Sequence, residues 1–64
     1  MTDNMKTAIR QLHGCSRTAK EMRQDTRTLK ALARVGIARC FVRGSKTFWM
    51  LTDEGASRYS ELTA

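Results

Sequence analysis

The stretch TRTLKALARVGI, residues 26 to 37, decides the fold of this chain. On a helical wheel its apolar residues share one side: Leu29, Leu32, Ala33 and Gly36. Three basic residues and a small one share the other side: Arg27, Lys30, Ala31 and Arg34. A helix with separate apolar and polar faces packs its apolar face on a core. We therefore expect a helix over residues 26–35, capped by Asp25 or Thr26, with buried leucines and its cations together on the surface.

Two helices are expected before this segment. The first covers residues 3–13, with Asp3 as its N-cap, Gly14 after its end, and an apolar stripe formed by Met5, Ala8, Ile9 and Leu12. The second begins at Thr18, where Thr18-Ala19-Lys20-Glu21 has the form of a capping box. It is short, and Met22 faces the core.

Residues 37–42 and 47–52 are rich in β-branched and aromatic side chains and predict a hairpin. In the loop Gly44-Ser45, glycine at the first central position matches a type II′ turn. This register is expected to place two pairs on the inner face, Cys40–Trp49 and Ala38–Leu51. It places two pairs on the outer face, Phe41–Phe48 and Arg39–Met50.

One short final helix is expected after Thr52, its N-cap. Its apolar stripe is Ala56, Tyr59 and Leu62. Residues 1–64 thus predict a single domain of the α+β class, mainly helical, with three helices, a two-stranded hairpin and a short C-terminal helix.

Positive charge is concentrated in the middle of the chain. The net charge is +6, and residues 17–46 hold nine bases against Glu21 and Asp25, a net of +7. The remainder holds three bases against four acids, a net of −1. A local excess of this kind suits a polyanion, because each neutralised phosphate releases condensed counterions.

Several classes of function are not expected. A chain of 64 residues has room for one small core and little for a substrate pocket, and no nucleophile has a recognisable partner set, so we expect no enzyme. With His13 as the only histidine, no metal site or other cofactor is expected. No apolar run approaches a membrane span, and a cytoplasmic location is expected. Cys15 and Cys40 are expected as buried reduced thiols, with a disulfide between them as the alternative in an oxidising compartment.

Three strings resemble the winged helix-turn-helix family of small bacterial and phage regulators. Residues 18–22, TAKEM, resemble the start of that family's second helix, and residues 28–37 resemble the end of its recognition helix. Residues 49–55, WMLTDEG, resemble the passage out of its wing. The resemblance implies a regulator that binds double-stranded DNA, with the 26–35 helix in the major groove and the 43–46 hairpin tip on the backbone.

The resemblance also implies which residues contact DNA. The groove-facing set is Arg27, Lys30 and Arg34, with Ala31 allowing close approach and with Thr26 and Arg23 near the helix entrance. The phosphate-contacting set is Arg17, Thr18, Lys20, Arg43 and Lys46.

Two alternatives stay open at this point. A winged helix can serve as a protein-interaction adaptor, for instance a phage-type inhibitor of an acidic host protein, and an outward-facing pair of phenylalanines favours that function. A homodimer can form through the stripe of Ala56, Tyr59 and Leu62, or through Phe41 and Phe48. No small-molecule ligand and no membrane partner is indicated.

Overall fold

The computed structural model describes all 64 residues. Three helices come first, then an antiparallel hairpin, then two short helices. Their bounds are α1 Asp3–Leu12, α2 Ala19–Met22, α3 Thr26–Arg34, β1 Ala38–Arg43, β2 Lys46–Leu51, α4 Asp53–Ser57 and α5 Tyr59–Leu62. This order confirms the expected fold class, except that the final helix is divided at Arg58. No helix has both the length and the apolar character required to cross a membrane.

Helix α1 contributes one side of the hydrophobic core. Ala8, Ile9 and Leu12 are buried, and Met5 packs against them half-buried. The N-cap is Thr2, whose hydroxyl accepts a hydrogen bond from the Met5 amide at 3.2 Å. The expected cap at Asp3 was therefore wrong by one position. Asp3 is instead the first helical residue, where a carboxylate still suits the positive end of the helix dipole.

Helix α3 buries Leu29 and Leu32 completely, as predicted. The expected burial of Ala33 was wrong, because Ala33 is exposed. Ala33 lies at the margin of the apolar stripe, and the helix is rotated so that Thr28, at the opposite margin, is half-buried in its place. Gly36 ends the segment with a φ of 80°, a conformation that glycine adopts without steric cost.

The hairpin has the predicted register in every pair. Of its two loop residues only Gly44 has positive φ, at 65°, which is the pattern of a type II′ turn. The expected inward burial of Cys40 was wrong, since only Ala38 of β1 is buried. Beyond Ala38 every residue of β1 is exposed, so the inner face of the strand is not part of the core there. Trp49 and Leu51 of β2 remain in the core.

Both cysteines are free and exposed, which corrects the prediction of buried thiols. Cys15 lies in the loop after α1, where its thiol donates to the Gln11 carbonyl oxygen at 3.1 Å. The small core is filled by larger apolar residues, and neither cysteine position reaches it.

A third strand position, which the sequence did not indicate, extends the hairpin. Arg17 forms an antiparallel bridge with Trp49: its amide donates to the Trp49 carbonyl at 3.0 Å, and the Trp49 amide donates back at 2.7 Å. The loop between α1 and α2 is thereby held on the side of β2 that faces away from β1.

The C-terminal apolar stripe packs mainly on its own chain. Leu62 belongs to the core. Tyr59 is half-buried and stacks on His13, with ring centroids 3.8 Å apart and planes at 15°. Only Ala56 of the three is exposed, so little of this stripe is free to contact a second copy.

Candidate nucleic-acid interface

One face of α3 presents only cationic and small side chains to solvent. Arg27, Lys30 and Arg34 are all exposed, on the side opposite Leu29 and Leu32. Thr26 is exposed at the start of the helix, and Ala31 lies half-buried beside the basic row. The short alanine side chain leaves the helix backbone accessible there. The spatial separation predicted from the sequence is therefore present.

The start of α3 is fixed by a cap and by a strained turn. The Asp25 carboxylate accepts from the Arg27 amide at 2.9 Å, which satisfies a free donor of the first turn. Just before it, Arg23 ends α2 in the left-handed conformation, with φ 56° and ψ 37°. Glycine usually takes such a position, because a Cβ crowds the backbone there. The exposed Arg23 side chain consequently lies at the entrance of α3.

Gln11 of α1 ties this turn to the rest of the domain. Its side-chain amide donates to the Met22 carbonyl at 3.0 Å, and its side-chain oxygen accepts from the side-chain amide of Gln24 at 3.3 Å. Sequence analysis missed this residue, because a glutamine beside an apolar stripe looks like an ordinary surface residue. It holds the α2–α3 turn, and hence the direction of α3, against α1.

The first turn of α2 and the end of the hairpin lie side by side. Thr18, Lys20 and Lys46 line one open groove between them. In the capping box, the Thr18 amide and the Thr18 hydroxyl both donate to the Glu21 carboxylate. These hydrogen bonds lower the pKa of Glu21, the one from the amide by the larger amount. The charges of Arg17 and Lys46 lower it further by a smaller amount. Two parts of the expected phosphate-contacting set, far apart in sequence, thus come together.

Two members of that set are engaged within the protein. The Nε of Arg17 donates to the Gln11 carbonyl at 2.9 Å. The Thr18 hydroxyl accepts from the Glu21 amide at 3.1 Å, and the Glu21 carboxylate covers the amide of Thr18. Both residues stabilise the fold, and the amide and hydroxyl of Thr18 already have hydrogen-bond partners within the protein.

The twelve cationic side chains differ sharply according to where they lie in the chain. Four of the twelve have protein partners: Lys6 and Arg10 donate to C-terminal carbonyls, Arg17 to Gln11, and Arg58 pairs with Glu54 and Glu61. The other eight form no ion pair or side-chain hydrogen bond: Lys20, Arg23, Arg27, Lys30, Arg34, Arg39, Arg43 and Lys46. All eight come from α2, α3, the turn between them and the hairpin, where the sequence placed the excess charge.

No group of three or more histidine, cysteine, aspartate or glutamate side chains lies close enough together to hold a metal ion. This surface has cationic side chains without partners, and such side chains bind anions through electrostatic attraction and hydrogen bonds.

Comparison with known proteins identifies the fold. No family model matches the chain, and no curated protein matches it by sequence. Among solved structures, a mutant form of ZitR from Lactococcus lactis superposes with a TM-score of 0.79 at 17% identity. The match covers 95% of this chain and 49% of that one, so this chain spans about half the length of ZitR. ZitR is a winged-helix regulator, and the likeness shows that this chain has the winged-helix fold.

Proposed function

We propose that this protein binds double-stranded DNA as a small transcriptional regulator of bacterial or phage type. The observation that carries the proposal is the outward face of α3, on which Arg27, Lys30 and Arg34 are exposed and unpartnered opposite a fully buried leucine pair. Unpaired cations on a single convex element are the electrostatic footprint of a nucleic-acid binder. The structural likeness to a winged-helix regulator supports the same function.

In the proposed complex α3 lies in the major groove. A helix with its side chains is roughly 10–12 Å across, and the groove of B-DNA is about 12 Å wide, so one helix fits it. Arg27, Lys30 and Arg34 would then reach base edges, where arginine and lysine donate to guanine O6 and N7. Thr26 and Ala31 present a methyl group each, a surface that suits the methyl of thymine.

Phosphate contacts would come from the surroundings of that helix. Lys20 and Lys46 share the groove between α2 and the hairpin, Arg43 flanks the tip, and Arg23 lies at the α3 entrance. Such contacts fix the register of the protein on the duplex and carry no sequence information by themselves. With a loop of only Gly44-Ser45, the hairpin would follow the backbone and not enter the minor groove.

The test is a double substitution on the exposed face of α3. Arg27→Ala with Lys30→Ala should leave the melting temperature nearly unchanged, because neither side chain has a partner in the protein. Duplex affinity, measured by fluorescence anisotropy at moderate salt, should fall by at least about tenfold, since each contact to a charged group contributes about 1.5–3 kcal/mol.

The matched control is Lys6→Ala with Arg10→Ala, which removes the same charge from α1. This control should keep most of the duplex affinity. Equal losses in both variants would show that binding depends on net charge and not on the α3 face. Loss of folding in the α3 variant would show that its helix is oriented differently.

A protein-interaction adaptor that binds an acidic host protein is a second candidate. The observation in its favour is the outer face of the hairpin, where Phe41 and Phe48 stack with ring centroids 5.6 Å apart and Phe41 is 36% exposed. Selection of random duplexes by the purified protein separates the two. An enriched palindrome would support a regulator that binds as two copies, and enrichment of no sequence would favour the adaptor.

A further inference from the structure

The outer edge of strand β1 has backbone groups with no partner. In an antiparallel ladder, hydrogen-bonded and non-hydrogen-bonded pairs alternate. Trp49 uses its amide and carbonyl to pair with Arg17, on the side of β2 away from β1. Its β1 partner Cys40 is therefore in a non-hydrogen-bonded pair, and so is Val42 two residues on. The amides and carbonyls of Cys40 and Val42 point to the free edge of the hairpin.

Apolar side chains lie on both sides of this edge. Val42 is 71% exposed on one face of the hairpin, and Phe41 is 36% exposed on the other face, beside Phe48. An added strand would cover both faces at once, because its successive side chains alternate between them. Exposed backbone and exposed apolar side chains at one edge are the features that strand addition uses.

The charge of the edge selects the partner. Arg39 and Arg43 lie along β1 without ion pairs, and residues 37–52 contain no aspartate or glutamate. A second copy of this chain fits poorly. Two β1 strands paired antiparallel about Phe41 would set Arg39 against the second copy's Arg43, and like charges directly opposite are destabilising. In that register, which pairs the free backbone groups of Cys40 with those of Val42, the arginines disfavour self-association.

We propose that the free edge of β1 binds an extended acidic segment of another protein by strand addition. The donors and acceptors of Cys40 and Val42 alternate along the edge, which matches a peptide backbone. A nucleic-acid phosphate matches it less well, because the exposed carbonyls would face its oxygens. The inference deepens the adaptor candidate by naming its surface and partner class, and it does not depend on the α3 face.

The probe is a fluorescent peptide of alternating aspartate and valine, compared with the same peptide of alternating lysine and valine. Anisotropy should show binding of the acidic peptide and not of the basic one. Isotope-edited NMR should show the amides of Cys40 and Val42 shifted and slowed in hydrogen exchange. Equal binding of both peptides, or shifts centred on α3, would overturn the proposal. So would displacement of the acidic peptide by single-stranded oligothymidylate at a concentration equal to that of the peptide.

A proline substitution tests whether the backbone of this edge takes part in binding. Val42→Pro removes one edge amide without breaking the β1–β2 ladder, because proline is tolerated where the N–H faces away from the sheet. It should weaken acidic-peptide binding about twofold to tenfold, the range for one hydrogen bond. Thr47→Pro, in the same non-hydrogen-bonded pair but on the other edge, is the matched control and should leave binding unchanged. Circular dichroism checks that both variants fold.

Arg39→Glu gives a test that does not depend on proline. It should weaken binding of the acidic peptide and strengthen binding of the basic one. Unchanged affinity for both would overturn the assignment of charge. Duplex binding by the unsubstituted protein keeps the two functions apart. A protein that binds duplex but not the acidic peptide refutes only the edge site, and one that binds the acidic peptide but not duplex refutes only the proposed DNA function.

Discussion

Gly55 lies where α4 meets the connection between α3 and β1. The Thr52 hydroxyl accepts from the Gly55 amide at 3.1 Å and donates to the Gly36 carbonyl at 2.6 Å, which brings the first turn of α4 onto Ile37. A Cβ on Gly55 would overlap the Ile37 carbonyl oxygen and lie 3.2 Å from the Ile37 Cγ2. This contact gives a physical reason for threonine and glycine in the string LTDEG that follows the wing.

Gly55→Ala should therefore destabilise the protein, although alanine is the better helix former. We expect a loss of about 1–3 kcal/mol in the free energy of unfolding, the range for overpacking. Urea denaturation measures it. Ala56→Gly, at the exposed neighbouring position, should cost no more than about 1 kcal/mol. A Gly55→Ala variant as stable as the parent would show that α4 stands further from Ile37.

Arg23 occupies a conformation that disfavours a side chain, and its replacement tests whether that strain is present. Arg23→Gly should raise the free energy of unfolding by about 1 kcal/mol, because the left-handed conformation costs a residue with a Cβ roughly 1–2 kcal/mol. Thermal or urea unfolding measures the change.

Arg27→Gly is the control for Arg23→Gly, since it removes the same side chain from a regular helical position and should destabilise by about 1 kcal/mol. The free energy of unfolding should therefore rise in Arg23→Gly and fall in Arg27→Gly. A change in the same direction in both variants would contradict the left-handed conformation of Arg23. If Arg23 also contacts DNA, as proposed, Arg23→Gly should gain stability and lose duplex affinity together. Backbone strain at residues that bind a ligand lowers stability and is kept where function requires that conformation.

At the scale of elements, α2 is too short to be stable by itself. Its capping box makes the stability of the protein depend on pH. The pKa of Glu21 is lowered in the folded state, chiefly by hydrogen bonds from Thr18. A lowered folded pKa means that this contribution to stability is fully present above the ordinary glutamate pKa. It is lost as pH falls through the lower, folded value.

Glu21→Gln keeps a hydrogen-bond acceptor in the box but removes the titration. Between about pH 6 and about pH 3, the melting temperature of the parent should fall more steeply than that of the variant, because glutamates titrate in this range. Parallel pH profiles would show that the carboxylate of Glu21 does not titrate differently on folding.

The elements also differ in how well the sequence predicted them. The faces of α3, the capping box of α2 and the hairpin register all follow from residues a few positions apart, and all were confirmed. The errors concern where elements begin and end, as at the α1 cap and at Arg58, and which residues at margins or in loops are buried. Ala33 and Cys40 lie at the edges of apolar patterns, and whether such a residue is buried depends on which neighbour covers it.

At the scale of the whole molecule, the sorting of cations into paired and unpaired sets is the main result. Those outside residues 20–46 stabilise the fold through hydrogen bonds or ion pairs, and those inside remain free. Log affinity for duplex against log salt should therefore be steep, with a slope of about −0.9 for each phosphate contact.

Single substitutions test this sorting. Lys20→Ala or Lys46→Ala should each reduce the slope by about 0.9. Lys6→Ala should leave the slope unchanged and lower stability slightly, because its ammonium bonds the Ala64 carbonyl at 2.9 Å. A slope that responds equally to Lys6 and Lys20 would mean that the whole surface attracts DNA without a defined footprint. A flat salt response of the parent would argue against duplex binding altogether.

The sequence by itself determined the first three helices and both strands, how α3 divides into apolar and basic faces, and where the hairpin turns. These depend on periodicity, capping and turn chemistry, which act between residues close in the chain. Only the tertiary structure decided that Arg17 and Gln11 serve the scaffold, that Lys20 and Lys46 share a groove, that Cys40 is exposed and that the β1 edge is free. Each of these depends on contacts between distant segments, and the helical and strand periods of one segment contain no information about what packs against it.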